Sequence, residues 1–239
     1  MAKILRIHMS ERTAVYTEVP QEYALLAGRA LTSRMVSDEV DPACHPLGPN
    51  NKIVFAPGIV TGTTASTSGR ISAGGKSPLT GGIKESNAGT PWSQVVARLG
   101  LKAMVVEGQG QGNGWWGVHV TKDGASFFPE DEYADRNLSE VFPLLFERFG
   151  PKVSVMSIGI AGEKKMAMAG ICYNDIDKRA SRYSGRGGLG AVLGSKRLKC
   201  IVVDGQGGPG VAIANKEVFD QGRKKLTEAL KSHAVTKPG

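Results

Sequence analysis

The chain has 239 residues, of which 41% are hydrophobic, so one domain can bury a substantial core. Its formal charge of +8 at pH 7 favours an anionic ligand or an acidic partner. Only 6% of the residues are aromatic and the basic residues are scattered, which argues against a protein that binds RNA or single-stranded DNA.

The three cysteines, Cys44, Cys172 and Cys200, are isolated in the sequence, and none belongs to a C-x-x-C pair. The apolar neighbours of Cys172 and Cys200 predict buried, reduced thiols in a cytoplasmic protein. No run of 18 apolar residues is present, and the first residues lack the apolar region of a signal peptide. We therefore expect a cytoplasmic location and no membrane partner.

The first part of the chain predicts a hairpin, a helix and a strand. Apolar segments at residues 4–7 and 14–16 flank a turn at residues 10–13. Residues 21–37 have one apolar face, which is typical of a helix. After a loop rich in Pro, Gly and Asn at residues 42–51, the β-branched segment 52–56 predicts a strand.

The same order of elements returns in the second part. Residues 118–120 and 126–128 flank Lys122-Asp-Gly124, a hairpin sequence. Residues 138–149 predict a helix, and residues 152–156 match the strand at 52–56 with an offset of 100.

The clearest sign of duplication lies at the end of each part. Leu101-Lys-Ala-Met-Val-Val-Glu-Gly-Gln-Gly110 and Leu198-Lys-Cys-Ile-Val-Val-Asp-Gly-Gln-Gly207 are identical at seven of ten positions. We therefore predict an α+β fold, an internally duplicated β-sheet domain at residues 1–210. Its two hairpin–helix–strand repeats cover about residues 3–110 and 115–207.

A further helix is predicted after this domain, within residues 211–239. Asn215 is a good N-cap, and a stripe of apolar residues suggests packing on the domain or on a partner chain. The stripe comprises Val218, Phe219, Leu226, Ala229 and Leu230. Residues 237–239 are typical of a linker.

A glycine-rich stretch at residues 181–199 is the strongest candidate binding element. Gly185, Gly187 and Gly188 alternate with Arg182 and Arg186 before a short predicted helix. Glycine permits close backbone approach, a helix start favours negative charge, and arginine binds phosphate bidentately. The pattern also fits a loop in which glycine serves only turn geometry.

The first repeat has a related stretch. Residues 87–89 precede a helix predicted at 92–99 and roughly match residues 183–185. We interpret both stretches as turns that open related helices, with Asn87 also a plausible helix cap. Twofold pseudosymmetry would then suit a ligand with two equivalent anionic arms.

Several motifs occur in the order found in one known family, and together they cover nearly the whole chain. They are Gly58-Ile-Val-Thr-Gly-Thr, Ser68-Gly-Arg70, Lys76-Ser-Pro-Leu-Thr-Gly-Gly82, Ser86-Asn-Ala-Gly89, Ser157-Ile-Gly-Ile-Ala-Gly-Glu163 and Gly185-Arg-Gly-Gly-Leu-Gly-Ala-Val-Leu-Gly-Ser-Lys196. In these motifs the chain resembles the N-terminal domain of the tungsten-containing aldehyde ferredoxin oxidoreductase family.

The resemblance implies a base for a bis-pterin tungsten or molybdenum cofactor whose two phosphates are bridged by magnesium. Arg70 would lie between the pterin and a [4Fe–4S] cluster, and the backbone carbonyls of Asn87 and Tyr183 would bind the magnesium. The phosphates would contact four further residues: Gly89, Arg182, Gly185 and Arg186.

Two local features depart from the family pattern. The family commonly has a small residue at the position of Tyr183, so its ring must point away from the carbonyl site. Gly89-Thr-Pro-Trp-Ser93 replaces a segment rich in Gly and Phe.

The motifs of the later family domains are absent from these residues. A [4Fe–4S] cluster needs four thiolates, so a partner chain would have to supply it.

No Ser/His/Asp or Cys/His arrangement is apparent, so we assign no catalytic residue to this chain. Asp175 and Asp177 lack the other ligands of a calcium loop.

The first hypothesis is a cofactor-base subunit of an enzyme that oxidises aldehydes or related oxo compounds. Electrons would pass to iron–sulfur centres and a ferredoxin-like carrier, and a second chain would carry the remaining domains. The alternative is a non-catalytic pterin- or phosphate-binding module, or an orphaned domain. Nucleic-acid binding depends on the net charge alone.

Overall fold

A computed structural model describes residues Ala2 to Thr236. The first repeat contains β1 (Lys3–His8), β2 (Thr13–Glu18), α1 (Gly28–Glu39), β3 (Ile53–Pro57), β4 (Arg70–Lys76), β5 (Ile83–Gly89), α2 (Pro91–Arg98) and β6 (Leu101–Glu107). The second contains β7 (Trp116–Thr121), β8 (Gly124–Pro129), α3 (Leu138–Phe149), β9 (Ser154–Ser157), α4 (Ile160–Glu163), β10 (Ile171–Asn174), β11 (Ala180–Ser184), α5 (Leu189–Ser195) and β12 (Leu198–Val203). The last helix is α6 (Lys216–Ser232).

Each repeat forms one six-stranded sheet, and the two sheets have the same topology. The first has the order β2-β1-β6-β3-β4-β5, and the second has the matching order β8-β7-β12-β9-β10-β11. In each sheet only the pair that joins the first and last strands of the repeat is parallel. The predicted α+β fold with a duplicated sheet domain is confirmed.

Helices α2 and α5 lie between the two sheets, and Trp92 of α2 joins them. Its ring is fully buried, and the centroid of the ring lies 5.5 Å from that of Phe55 in β3 and 5.6 Å from that of Tyr173 in β10. Its Nε1 donates a hydrogen bond to the carbonyl oxygen of Ile201 in β12 (3.3 Å). Buried aromatic residues of this kind contribute strongly to core stability, so the repeats share one central core.

Helices α1 and α3 cover the opposite faces of the sheets. Side chains alternate between the two faces of a strand, and each outer face therefore has its own apolar cluster. Leu31 and Met35 of α1 pack with Val54 and Val105. In the second repeat, α3 makes the equivalent contacts through Val141, Phe142 and Leu145 to Val155, Cys172 and Val202.

Helix α5 lies directly against the backbone of its own repeat. A Cβ atom on Gly194 would be 1.9 Å from the carbonyl oxygen of Gly162, and one on Gly190 would be 2.2 Å from that of Gly170. A Cβ atom on Gly188, which has φ +70°, would be 2.0 Å from the carbonyl oxygen of Ala167. Gly188, Gly190 and Gly194 are therefore required for packing against the backbone.

A buried ion pair holds the motif of residues 157–163 in place. Lys199 and Glu163 are paired and almost fully buried. Lys199 Nζ also donates to the carbonyl oxygen of Ile158 (2.9 Å), and Glu163 Oε2 accepts the Asp135 backbone N–H (2.8 Å). Because both charges have further hydrogen-bond partners, removing one residue would leave the other buried and unpaired.

Two predictions from the sequence were wrong in detail. The helix predicted at residues 21–37 begins only at Gly28, because Gly28 has φ +51° and interrupts the segment. Residues 21–23 instead form a separate 3-10 turn. The repeats also contain β4, β5, β10 and β11, which the hairpin–helix–strand description omitted.

Helix α6 begins after Asn215, whose Oδ1 accepts the Val218 backbone N–H at 3.0 Å, as predicted. It contains no buried residue, so the domain does not bury the apolar stripe; packing on a partner chain, the other expectation, stays a prediction. The predicted linker at residues 237–239 lies outside the described residues. No helix within residues 2–236 is long and apolar enough to cross a bilayer.

Substitution of Gly194 by Ala is expected to destabilise the protein by about 3 kcal/mol, because the new methyl group would overlap the Gly162 carbonyl oxygen. Chemical denaturation gives the free energy of unfolding. Gly222→Ala in α6 is the matched control, since nothing lies within 4 Å of its added Cβ. The control should be neutral or slightly stabilising, and equal destabilisation by the two changes would contradict the packing of α5.

The buried carboxyl group of Glu130 should make the free energy of unfolding depend on pH. It is 1% exposed, its Oε1 accepts a hydrogen bond from Arg148 (3.0 Å), and its Oε2 has no partner within residues 2–236. Burial raises the pKa of Glu130 to about 8, although Arg148 opposes the shift.

Between pH 4.5 and 8 the folded protein therefore holds a proton that the unfolded chain releases, so stability falls as pH rises. Glu130→Gln should remove most of this dependence, which is on the order of 5 kcal/mol across that pH range. Denaturation of both proteins at several pH values checks it, and parallel curves would show that Glu130 is ionised in the fold.

Candidate functional site

The predicted site residues lie on or beside β5 and β11, the edge strands of the two sheets, which contact each other. Four of them are on these strands, whereas Arg70 begins the neighbouring strand β4, and Gly185 and Arg186 follow β11.

The strand register shows which residues of the two edge strands are equivalent. Asn87 of β5 pairs with Ser72 in β4, and Tyr183 of β11 pairs with Cys172, the matching residue of β10. Asn87 and Tyr183 therefore occupy equivalent positions, as the duplication predicted.

The register also corrects the strand match of the sequence. Val54 pairs with Val105, and Val155 pairs with Val202. Since β6 and β12 match residue by residue, Val54 is equivalent to Val155. The offset is 101 rather than 100.

Residues 87–89 do not form a turn, contrary to the sequence interpretation. They are the last residues of β5, and Tyr183 likewise lies within β11. The cap of α2 is Thr90, whose Oγ1 accepts the Trp92 backbone N–H at 3.1 Å. Asn87 is therefore not a cap, because its side chain has other partners.

Those partners are Arg70 and Ser72. Arg70 Nε donates to Asn87 Oδ1, and Asn87 Nδ2 donates to Ser72 Oγ (3.0 Å). The network orients the guanidinium of an exposed arginine, whose Nη1 lies 3.4 Å from where a Cβ atom on Gly89 would be. The position equivalent to Arg70 in the second repeat is Gly170, so only one repeat contains this arginine.

Two clefts occupy matching places in the repeats. The first-repeat cleft, about 330 Å³, lies between the start of α1, Gly58 after β3, and Arg70 and Asn87. The second-repeat cleft, about 420 Å³, lies between the start of α3, Gly159 after β9, and Tyr183. Equivalent strands and helix ends thus form both clefts.

Tyr183 lines the second-repeat cleft, and half of its side chain is exposed. Its hydroxyl donates to the carbonyl oxygen of Ala180 in the same strand (3.4 Å). Burial and a hydrogen bond with Cys172 raise the pKa of Tyr183 to about 12, so the phenol stays neutral at physiological pH.

Residues of the first repeat hold the glycine-rich turn of the second. The Arg186 backbone N–H donates to Ser86 Oγ (3.1 Å), and Ser77 Oγ donates to the Gly187 carbonyl oxygen (2.7 Å). Gly187 has φ +76°, a conformation that favours glycine. The turn is therefore fixed by contacts between residues about 100 positions apart in the sequence.

The turn borders a third cleft of about 260 Å³, the turn cleft, lined by Gly185, Arg186, Gly187, Lys84 and apolar Leu79 and Met168. Sequence reasoning missed Lys84. Its signal was the alternation of Lys84, Ser86 and Ala88 along one face of β5. The strand was not recognised from the sequence, because its last residues, 87–89, were interpreted as a turn.

Gly89 and Arg182 line a fourth cleft of about 420 Å³ at the junction of the sheets. Thr90 Oγ1 closes the junction by donating to the carbonyl oxygen of Asn174 (2.8 Å). The seven predicted residues therefore all border the β5–β11 edge. They line four neighbouring clefts and do not converge in one pocket.

Asp175 beside this junction is structural, which agrees with the sequence interpretation of the loop. It accepts hydrogen bonds from the Arg179 backbone N–H, the Ser181 hydroxyl and the Arg179 side chain. Burial alone would raise the pKa of Asp175, but these hydrogen bonds lower it to about 2. Both oxygens of the Asp175 carboxylate therefore accept hydrogen bonds from residues of its own hairpin loop.

The electrostatics of the edge are positive. Within residues 2–236, no carboxylate forms an ion pair with Arg70, Lys84, Arg182 or Arg186. The same residues contain no cluster of three His, Cys, Asp or Glu side chains that could hold a metal ion. A hard cation at this edge would need backbone or ligand oxygens.

Residues 4–205 match the family model described as aldehyde ferredoxin oxidoreductase, N-terminal domain. The tungsten-containing aldehyde ferredoxin oxidoreductase of Pyrococcus horikoshii is 34% identical over 240 residues, which cover 99% of this chain and 38% of that protein. The enzyme of the same name from Thermococcus kodakarensis is 35% identical over 220 residues, covering 91% of this chain and 35% of that protein. The chain thus spans little more than a third of these curated relatives.

A solved structure has the same fold. It is described as the active site complex BamBC of benzoyl coenzyme A reductase in complex with 1,5-dienoyl-CoA. Its TM-score is 0.88 at 22% identity, over 96% of this chain and 34% of the matched one.

Asn87→Ala is expected to release the Arg70 guanidinium, because it removes the acceptor of the Arg70 Nε–H. Hydrogen exchange at that Nε, followed by ¹⁵N NMR, should accelerate several-fold. Ser72→Ala, which leaves the acceptor in place but removes its support, should have a smaller effect. Exchange at the same rate in all three proteins would contradict the network.

Proposed function

Because this chain belongs to the aldehyde ferredoxin oxidoreductase family, of which it contains the N-terminal domain, we propose that it forms the base for a tungsten or molybdenum bis-pterin cofactor. The complete enzyme would oxidise aldehydes or related oxo compounds to acids. The observation that carries this proposal is the paired edge β5–β11, with equivalent clefts and basic side chains that form no ion pair in the described part of the chain.

The donor chemistry of the edge fits the phosphate-bearing arms of such a cofactor. Arginine forks suit phosphate oxygens, and Arg182 and Arg186 are both exposed at the edge. Gly89 and Gly185 leave the backbone open to close approach. These four residues would contact the two phosphates.

Magnesium between the phosphates would be bound by the backbone carbonyls of Asn87 and Tyr183. Their equivalent positions on β5 and β11 support this assignment, since a bridging ion needs one ligand from each repeat. Neither side chain is required for it: that of Asn87 binds Arg70 and Ser72, and the Tyr183 hydroxyl binds its own strand.

The bound cofactor would supply the two-electron chemistry, while this chain binds and orients it. Arg70, held by Asn87, would point its remaining N–H groups at the pterin and the nearby iron–sulfur cluster. Its positive charge would stabilise added negative charge on either neighbour.

The cluster ligands would come from another polypeptide segment, which we propose lies on a partner chain. Cys172 and Cys200 are fully buried, and burial raises the pKa of both thiols. They are therefore poor metal ligands, and Cys44 alone cannot hold a cluster that needs four thiolates. Electrons would leave through that segment to a ferredoxin-like carrier.

The experiment is metal and pterin analysis of the protein purified from its native host under anaerobic conditions. We expect tungsten or molybdenum, magnesium, a fluorescent pterin after oxidation, and a co-purifying cysteine-rich chain. Arg186→Ala should lower the retained pterin about tenfold, because a charge-assisted phosphate contact is lost.

Lys152→Ala is the matched control, since Lys152 is exposed and lies outside all four clefts. Pterin without metal or redox activity would favour the non-catalytic binding module. Protein that contains neither pterin nor metal would sink the proposal.

A further inference from the structure

We propose that Lys84 is a phosphate-binding residue that acts with Arg186 in the turn cleft. This rests on the proposed function, which supplies the phosphate class of the ligand. Lys84 itself belongs to the first repeat, in β5, whereas the turn that contains Arg186 and Gly187 belongs to the second.

The side chain of Lys84 lies flat against the turn. An ideal Cβ on Gly187 would be 2.2 Å from Lys84 Cγ, 3.0 Å from its Cβ and 3.3 Å from its Cδ. The aliphatic stem therefore packs on the bare backbone of Gly187, which no other residue type would permit. A lysine whose stem is packed in this way presents its ammonium group with fewer rotamers to lose on binding.

Lys84 lines the same cleft as Arg186. Lys84 and Arg186 border the same volume of about 260 Å³, with Gly185 and Gly187 between them. Ser86, two residues along the same face of β5, accepts the Arg186 backbone N–H at 3.1 Å. Strand β5 thus fixes both the lysine and the turn.

The two cations lack an internal counterion. Within residues 2–236 neither forms an ion pair, and Glu85 lines the first-repeat cleft instead. Two like charges that share a cleft repel each other, and an anion bound between them turns this cost into attraction. A phosphate matches the site, because the arginine fork and the compact ammonium can bind different oxygens of one group.

The variants separate charge from packing. Lys84→Met keeps an unbranched stem on Gly187 and removes the charge, whereas Lys84→Arg keeps the charge. Lys152→Met is the control for an exposed lysine elsewhere. Calorimetric titration of the full chain with inorganic pyrophosphate at low salt measures binding, and circular dichroism verifies the fold.

Lys84→Met should weaken pyrophosphate binding about tenfold, as expected for the loss of a charged hydrogen bond. Lys84→Arg should stay within about twofold of the wild type, and Lys152→Met should match it. Binding that is unchanged in Lys84→Met but weakened in Arg186→Ala would overturn the proposal.

A measurement on the wild-type protein avoids any folding defect of a variant. Acetic anhydride labels exposed lysines, and mass spectrometry reports the rate at each one. Pyrophosphate should protect Lys84 several-fold and leave Lys152 unaffected, whereas equal rates at Lys84 with and without pyrophosphate would overturn the proposal.

These outcomes are distinguishable from failure of the proposed function. Protein that binds pyrophosphate through Lys84 but never contains pterin or metal would retain the lysine site and remove the cofactor assignment. If the protein contains pterin but Lys84→Met changes neither pyrophosphate binding nor pterin retention, the cofactor assignment stands and the lysine site is removed.

Discussion

The close contact between α5 and the backbone of its own repeat is the constraint on which the site depends. Gly190 and Gly194 let the helix touch the carbonyl oxygens of Gly170 and Gly162. This contact places α5 between the sheets and so fixes where its preceding turn emerges. The position of Arg186 is thus decided by glycines that lie inside the core, because close-packed interiors transmit small displacements.

The two repeats complete each other at the edge where the candidate ligand would lie. Ser77 and Ser86 of the first repeat hold the turn of the second, and Thr90 reaches the end of β10. Inside the molecule, Trp92 makes the corresponding connection through the shared core. A single repeat would have neither a closed core nor a supported turn, so duplication and binding are linked in this fold.

The sequence predicted the duplication and the α+β class, because the strands β6 and β12 keep a nearly identical apolar pattern, and it predicted the family from motifs that occur in a fixed order along the chain. It did not predict β4, β5, β10 and β11. Three of these strands contain Gly or Ser, which are poor strand formers and resemble turns, and β10 has only four residues. That one error had further consequences: Asn87 was interpreted as a cap, and Lys84 went unnoticed. The contacts between repeats depend on distant residues, which local sequence patterns cannot reveal.

The difference between Arg70 and Gly170 has a consequence for any ligand with two similar halves. The scaffold by itself would accept such a molecule in two orientations related by a half-turn. A charged fork on one side and bare backbone on the other would make those orientations unequal in energy. Other equivalent positions also carry different side chains, such as Asn87 and Tyr183, so the duplicated scaffold presents two unlike halves to a ligand.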